Sequence, residues 1–207
     1  MRKGLVNVSR GIIRLPRPMY DSGVSIERAL LGRRSYREYK KEPLTLAEIS
    51  QLLWAMQGVT DPEGFRTTPS AGALYPLEVY VVAGNVEGLS AGIYKYKPER
   101  HELTRVMDGD KRSELCASAL GQDSVKSGAA VIVLSAVYER TVIVYGERGR
   151  RYVHMEVGHA AQNACLQAVS LNLGTVVIGA FDDTGVKRVM DMPDEERPLC
   201  IIPVGRK

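Results

Sequence analysis

The chain has 207 residues, enough for one domain with a proper core. With 44% hydrophobic and 25% charged residues, its make-up is that of an ordinary globular protein and excludes a fibrous or low-complexity chain. A formal net charge of +4 and a pI near 9.0 favour anionic small molecules as partners without requiring nucleic acid. Cys116, Cys165 and Cys200 lie far apart, with neither disulfide nor zinc spacing, so a reducing, cytoplasmic setting is expected.

Residues 1–24 hold Arg2, Lys3, Arg10, Arg14 and Arg17 with two prolines and little periodicity, and no continuous apolar run of a secretory signal. They are expected to form an extended arm, one that wraps a partner subunit, ahead of a domain spanning 25–207. Ser25 can cap a short helix over Ile26 to Leu31 that Gly32 stops. Arg33-Arg34-Ser35-Tyr36-Arg37 follows. Three guanidiniums and a hydroxyl in five residues suit phosphate oxygens, while a solvated basic turn explains the same residues. Thr45-Leu46-Ala47-Glu48 is a capping box, and Ile49, Leu52, Leu53 and Met56 make the apolar stripe of a helix ending at Gly58. The small-residue loop Pro69-Ser70-Ala71-Gly72-Ala73 either turns tightly or lets a flat ligand touch the main chain. A strand, Leu77 to Ala83, comes next.

Ile93 to Pro98 and Glu102 to Met107 read as a hairpin. Asp110 to Leu120 is predicted helical, and Val131 to Val137 is an apolar run with the marks of a central strand. Val142 to Tyr145 fits a short strand or an extended lead into a helix. Gly146 to Arg151 is expected as a basic loop. From Tyr152 onward, Val153, Val157, Ala160, Ala164, Ala168 and Leu171 recur at helical steps, and Met155, Gly158, Gln162, Leu166 and Val169 form a second, mostly apolar stripe. The helix is therefore expected to be buried around most of its circumference, with its small residues against a second helix, such as its own copy in a partner chain. Gln162, Asn163, Gln167 and Asn172 are too many amides for a membrane span. Gly174 is expected to stop the helix, Thr175 to Phe181 to form a buried strand, and Ile178-Gly179-Ala180 at its end to present bare main-chain N–H groups. Leu199 to Val204 is the last strand. Interspersed elements with one hairpin predict an α+β fold with a mixed sheet.

His154 and His159 stand five apart on a helix and cannot share the face a metal pair needs, so no metal site is expected; His159 is read as a buried or hydrogen-bonded structural residue. No nucleophile elbow, dinucleotide fingerprint or phosphate-loop motif occurs. An enzyme built from these residues needs a bound cofactor to carry its reaction.

The ordered motifs RRSYR, PSAGALYPLEVYVV and EVGHAAQNACLQA with GTVVIGAFD resemble the FMN-dependent nitroreductase superfamily from about Ser25 to the C-terminus. The nearest branch is that of the SagB-type dehydrogenases related to thiazole/oxazole-forming oxidases. The resemblance implies an α+β sandwich, helices flanking a mixed sheet, in an intertwined homodimer with two FMN molecules at the interface. It implies that Arg33, Arg34 and Ser35 hold the FMN phosphate and ribityl end, with Arg206 reaching the phosphate. Arg37 would lie at the pyrimidine edge of the ring. Ser70, Ala71 and Gly72, typically from the partner subunit, would lie along the flavin, and Ile178, Gly179 and Ala180 would point a main-chain N–H at flavin N5. The implied activity is ping-pong hydride transfer from NAD(P)H through flavin N5 to a quinone, a nitroaromatic or another flat acceptor. Ala73 stands where family members often have Asn, which removes one flavin hydrogen bond of the family pattern. Val144-Tyr145 stands where azoline-oxidising members carry Lys-Tyr, which leaves Tyr145 as an acid or a packing residue and no evident base. An azoline dehydrogenase, a non-catalytic flavin-binding homologue and a basic interaction domain are the competing readings; an oxidised-flavin spectrum that NAD(P)H fails to bleach would mark the second, and colourless protein the third.

Overall fold

The computed structural model describes residues 11–207, so Arg2, Lys3 and Arg10 of the expected arm lie outside the described residues. In chain order the first half forms β1 (Ile12–Arg14), α1 (Ile26–Gly32), β2 (Leu44–Thr45), α2 (Leu46–Gln57), β3 (Leu77–Ala83), β4 (Val86–Glu87), β5 (Gly92–Lys97) and β6 (Glu102–Asp108). The second half forms α3 (Arg112–Ser118), α4 (Asp123–Ser127), β7 (Ala130–Val137), α5 (Glu139–Tyr145), α6 (Arg148–Ser170), β8 (Leu173–Thr175), α7 (Asp183–Val189) and β9 (Glu196–Arg206). Seven strands make one sheet in the order β1-β6-β5-β3-β7-β9-β8. Every pairing within it is antiparallel. Among the described residues, parallel pairing is confined to β2 with β4 and to the single bridge Ser35↔Thr175.

β3 and β7 sit at the centre because their apolar runs have somewhere to go on both faces. On one face Val79, Val81, Ile132 and Leu134 pack with Leu52, Leu53 and Met56 of α2 and with Ala160, Ala164 and Ala168 of α6. On the other, Tyr80, Val82, Val131 and Val133 pack with Leu115 of α3 and with Val186 of α7. The sheet is thus sandwiched, with the α6 face positioning the site.

The capping box at α2 forms as read: Glu48 N–H donates to Thr45 Oγ1 (3.2 Å), and Thr45 N–H donates to Glu48 Oε2 (2.8 Å). Glu48 also takes a two-pronged pair from Arg206, at 2.5 and 2.9 Å. Glu48→Ala removes both links, and an expected loss of about 1–2 kcal/mol would show as a lower urea midpoint at unchanged slope.

Several expectations are corrected. Val142 to Tyr145 is the end of a helix, α5, and most of the expected basic loop is the first turn of α6. Gly149 belongs there because a Cβ would meet the Thr141 carbonyl oxygen at 2.9 Å, so α5 and α6 touch backbone to backbone. After α6 the left-handed residue is Asn172 (φ 56°), not Gly174, which lies within β8. Thr175 to Phe181 is not a continuous strand: only Thr175 belongs to β8, and beyond it a single bridge joins Ile178 to Ile201. α6 is not buried around most of its circumference in the single chain; Met155, Gly158 and Gln162 are exposed. His159 is also exposed and takes no hydrogen bond among the described residues, whereas His154 Nε2 meets Tyr138 Oη at 2.5 Å. Within the chain, β1 of the arm pairs with β6, and Met19 N–H donates to Gln51 Oε1 (2.8 Å), contacts that leave the wrapping of a partner subunit an open expectation. No helix among the described residues is long and apolar enough to cross a membrane.

Candidate functional site

The expected site residues fall into two groups. The first is the segment Arg33–Tyr39, laid along the β8–β9 rim of the sheet. Tyr36 N–H donates to the Thr175 carbonyl (2.9 Å) and Lys40 N–H to the Arg206 carbonyl (3.0 Å). Two glycines make the seat. Gly174 and Gly205 face each other across β8 and β9. A Cβ on Gly174 would meet Tyr36 Cβ at 2.9 Å, and one on Gly205 would meet the Tyr39 side chain at 2.7 Å. Tyr39 Oη then donates back to the Tyr36 carbonyl (2.8 Å), closing the turn. Ser35 and Arg37 are left exposed, and Arg33 is half-buried. Burial pushes the Cys165 thiol up, with Thr175 and the Arg33 charge working against it, which places Arg33 beside the C-terminal half of α6.

Two of the expected cations are otherwise engaged. Arg34 Nη1 folds back onto the carbonyls of Leu31 (3.0 Å) and Arg33 (2.7 Å), closing the end of α1. Arg206 spends its guanidinium on Glu48 and on the Pro43 carbonyl (3.2 Å), so it ties β9 to α2 in place of reaching outward. Lys207, which the sequence reading passed over, stands instead with its Nζ 5.0 Å from the Tyr36 ring centre. Of the tripeptide 178–180, the Ile178 N–H is already donated to Ile201 (2.9 Å). The N–H groups of Gly179 and Ala180 have no partner among the described residues, and nothing lies within 4 Å of where a Gly179 Cβ would be.

The second group is the Ser70–Gly72 loop. It turns tightly, with Gly72, Ala73 and Tyr75 all at positive φ (63°, 52° and 44°). Two non-glycine residues in that region within three positions store strain that the surroundings must hold. The hold is visible: Ser70 Oγ accepts from Tyr75 N–H (3.0 Å), and the Arg66 guanidinium lies 4.3 Å from the Tyr75 ring centre. Thr68, at the foot of the loop, accepts from Asn163 Nδ2 of α6 (3.1 Å). Tyr145 Oη would lie 2.9 Å from a Cβ on Gly72, so Tyr145 stands over this loop. Glu156 of α6 is buried, and its Oε1 has no hydrogen-bond partner among the described residues. No hydrogen bond joins the two groups among the described residues. The foot of the loop meets α6 at Asn163, and the first group meets it near Cys165.

The Nitroreductase family matches residues 30–206. The chain belongs to the nitroreductase family. A protein of Methanocaldococcus jannaschii that carries the name nitroreductase is 51% identical over 184 residues, 89% of this chain and 92% of that one. A crystal structure of a nitroreductase-named protein from Ralstonia eutropha JMP134 superposes with a TM-score of 0.84 at 32% identity, covering 99% of this chain and 95% of that one. The microcin B17-processing protein McbC of Escherichia coli is 33% identical over 73% of this chain, which spans 58% of McbC. Nitroreductase-family membership makes the chain an oxidoreductase and bears out both the resemblance and the α+β fold.

The donor set suits a flavin phosphate and ring. Arg33, Ser35, Arg37 and Lys207 gather positive charge and a hydroxyl at one rim, and Gly179 and Ala180 offer unshielded N–H groups. Large apolar side chains are exposed on three helices. Ile26, Leu30 and Leu31 of α1, Ile143 and Val144 of α5 and Met155 of α6 are all exposed, Ile143 at 86%. The sequence signal that could have flagged Glu156 was its position alone: it is an acid one residue ahead of a stretch, Val157 to Phe181, that carries no charge.

Proposed function

We propose that two copies of this chain associate across α1, α5 and α6 to form two FMN sites. Each takes Arg33, Ser35, Arg37, Gly179 and Ala180 from one protomer and the Ser70–Gly72 loop from its partner. The activity read from this is electron transfer from NAD(P)H to a flat organic acceptor such as a quinone or nitroaromatic. The observation that carries the reading is the split of the site: bare N–H groups and cations in one group, a strained loop in another that no hydrogen bond joins to it among the described residues, and large apolar side chains exposed on α1, α5 and α6. FMN bound there supplies the hydride chemistry. The chain's own part is to hold the phosphate on Arg33 and Ser35, to keep one face open between Gly179 and the loop, and to exclude water with the apolar helices. Arg34 and Arg206 are left to structural work in this reading, and Tyr145 stands over the loop as a packing group or weak acid.

Arg37, exposed and unpaired among the described residues, can offset negative charge gathered at the pyrimidine edge. A charge-assisted hydrogen bond is worth about 1.5–3 kcal/mol. Arg37→Ala is therefore expected to lower the midpoint potential of the bound flavin while leaving binding in place, as read by potentiometric titration. The whole reading is tested by the visible spectrum of protein incubated with FMN, its mass in solution, and anaerobic addition of NADH or NADPH. Monomeric protein that takes up no FMN would overturn it. The likeness to McbC supports azoline oxidation as a second reading, one that turnover of a thiazoline peptide would establish.

A further inference from the structure

Residues 19–25 form one wall of a cavity of about 770 Å³, which Ala29 of α1, Gln51 and Trp54 of α2, and Asn163 and Gln167 of α6 also line. Gln51 clasps the main chain of Met19, accepting from its N–H (2.8 Å) and donating to its carbonyl (3.0 Å). Three residues earlier the Pro16 carbonyl accepts from Ser50 Oγ (2.6 Å). His101 Nε2 lies 2.7 Å from that Ser50 oxygen and 3.0 Å from the Pro16 carbonyl. Across the ring, His101 Nδ1 lies 2.8 Å from Tyr96 Oη, and the His101 carbonyl accepts from Leu15 N–H (3.1 Å). Ser50 and Tyr96 are both buried.

The count of protons fixes the state of the ring. A carbonyl cannot donate, so Ser50 spends its single proton on Pro16, and His101 brings Nε2–H to the Ser50 oxygen. Nδ1 is then a bare acceptor, filled by the Tyr96 hydroxyl. A second proton would set Nδ1–H against that hydroxyl, whose own proton has no other acceptor among the described residues.

We propose that Ser50, Tyr96 and His101 form a latch that holds residues 16–25 over the cavity while His101 is neutral and releases them when it takes a second proton. The inference is independent of the flavin reading. The charges around the ring do not favour the cation. Arg17 of the strap shares a hollow with His101, and Glu99 of the same turn is taken by Arg66 (2.8 Å). Lys97, Arg100 and Glu102 are the other charged residues of the turn, and no acid forms an ion pair with His101 among the described residues. Burial holds the His101 ring below the usual histidine range, against the opposing pull of the Pro16 carbonyl. The stability this gives the closed strap is complete above the ordinary value of 6.5 and is lost as pH falls through the lower value of the closed state.

The test is hydrogen exchange at the Leu15 and Met19 amides, each expressed as protection relative to an unstructured chain at the same pH, for the wild-type chain, His101→Gln and Ser50→Ala. The amide of Val133, at the centre of the sheet, reports global opening in the same samples. Wild-type protection of the two strap amides is expected to be roughly three- to tenfold lower at about pH 5 than at about pH 8. Glutamine keeps a donor in place of Nε2–H and does not titrate, so H101Q is expected to give protection that is flat with pH. Ser50→Ala leaves the ring in place and removes the bridge to Pro16, and is expected to lower protection roughly three- to tenfold already at about pH 8. Wild-type protection that is flat with pH, a pH response that persists in H101Q, or S50A protected as well as wild type at about pH 8 overturns the inference.

Discussion

Lys95→Ala is expected to be the most damaging of the substitutions considered, removing about 3–4 kcal/mol of folding free energy. Lys95 stands between two acids: its Nζ pairs with Glu196, whose side chain is 3% exposed, and lies 3.2 Å from Glu78. Glu196 Oε2 also accepts from Tyr80 Oη (2.8 Å) and Ser135 Oγ (2.7 Å). Burial opposes ionisation of Glu78, but the Lys95 charge and Arg140 outweigh it and hold the carboxyl below its usual range. Removing the ammonium strands Glu196 among β3, β5 and β7 with its charge unopposed, and an uncompensated buried charge costs far more than an intact pair contributes. The measurement is the urea midpoint. The double variant Lys95→Met/Glu196→Gln removes both charges while keeping an acceptor for Tyr80 and Ser135, and is expected to recover at least half of the loss. A single variant within about 1 kcal/mol of wild type would show that solvent already screens this network.

The second large effect is a pH dependence of stability centred on Glu156. Its carboxyl is raised from an ordinary 4.5 to about 7, chiefly by burial. The folded state therefore binds the proton more tightly than the unfolded chain does. The stabilisation this gives is complete below about 4.5, falls as pH rises, and is gone above about 7. The difference is on the order of 3 kcal/mol, a sizeable part of a typical domain's stability. Wild-type protein is expected to lose that much relative to E156Q between about pH 5 and pH 8, as read from urea midpoints. Parallel curves for the two proteins would mean that Glu156 stays ionised in the fold.

How much of this could be read from the residues alone depends on where the governing contact lies. The capping box at Thr45 and Glu48, the apolar runs of β3 and β7 and the periodicity of α6 are local signals, and each held. Thr175 to Phe181 misled because its apolar content has a tertiary cause. Val176 and Ile178 are buried against the α3–α7 layer, while the main chain between them finds no ladder. The basic stretch Gly146–Arg151 looked like a loop because glycine and a cluster of arginines are poor helix openers. Gly149 is there for the close approach of α5, a long-range fact. Arg206 was assigned to the phosphate by the resemblance alone, and its partner here, Glu48, lies 158 residues away. The two halves of the candidate site could be recognised through the order of the motifs, but not the engagement of Arg34 or the strain at Ala73 and Tyr75.

The sheet itself carries one more implication. Its two margins, β1 and β8, are three residues each, and the β8 side is already occupied by the Ser35–Tyr36 backbone. Little unclaimed main chain is left for another polypeptide to extend the ladder. Self-assembly by strand addition is thereby discouraged, and any lasting association is steered toward side chains on helices, where substitution can tune it without disturbing the hydrogen-bonded framework.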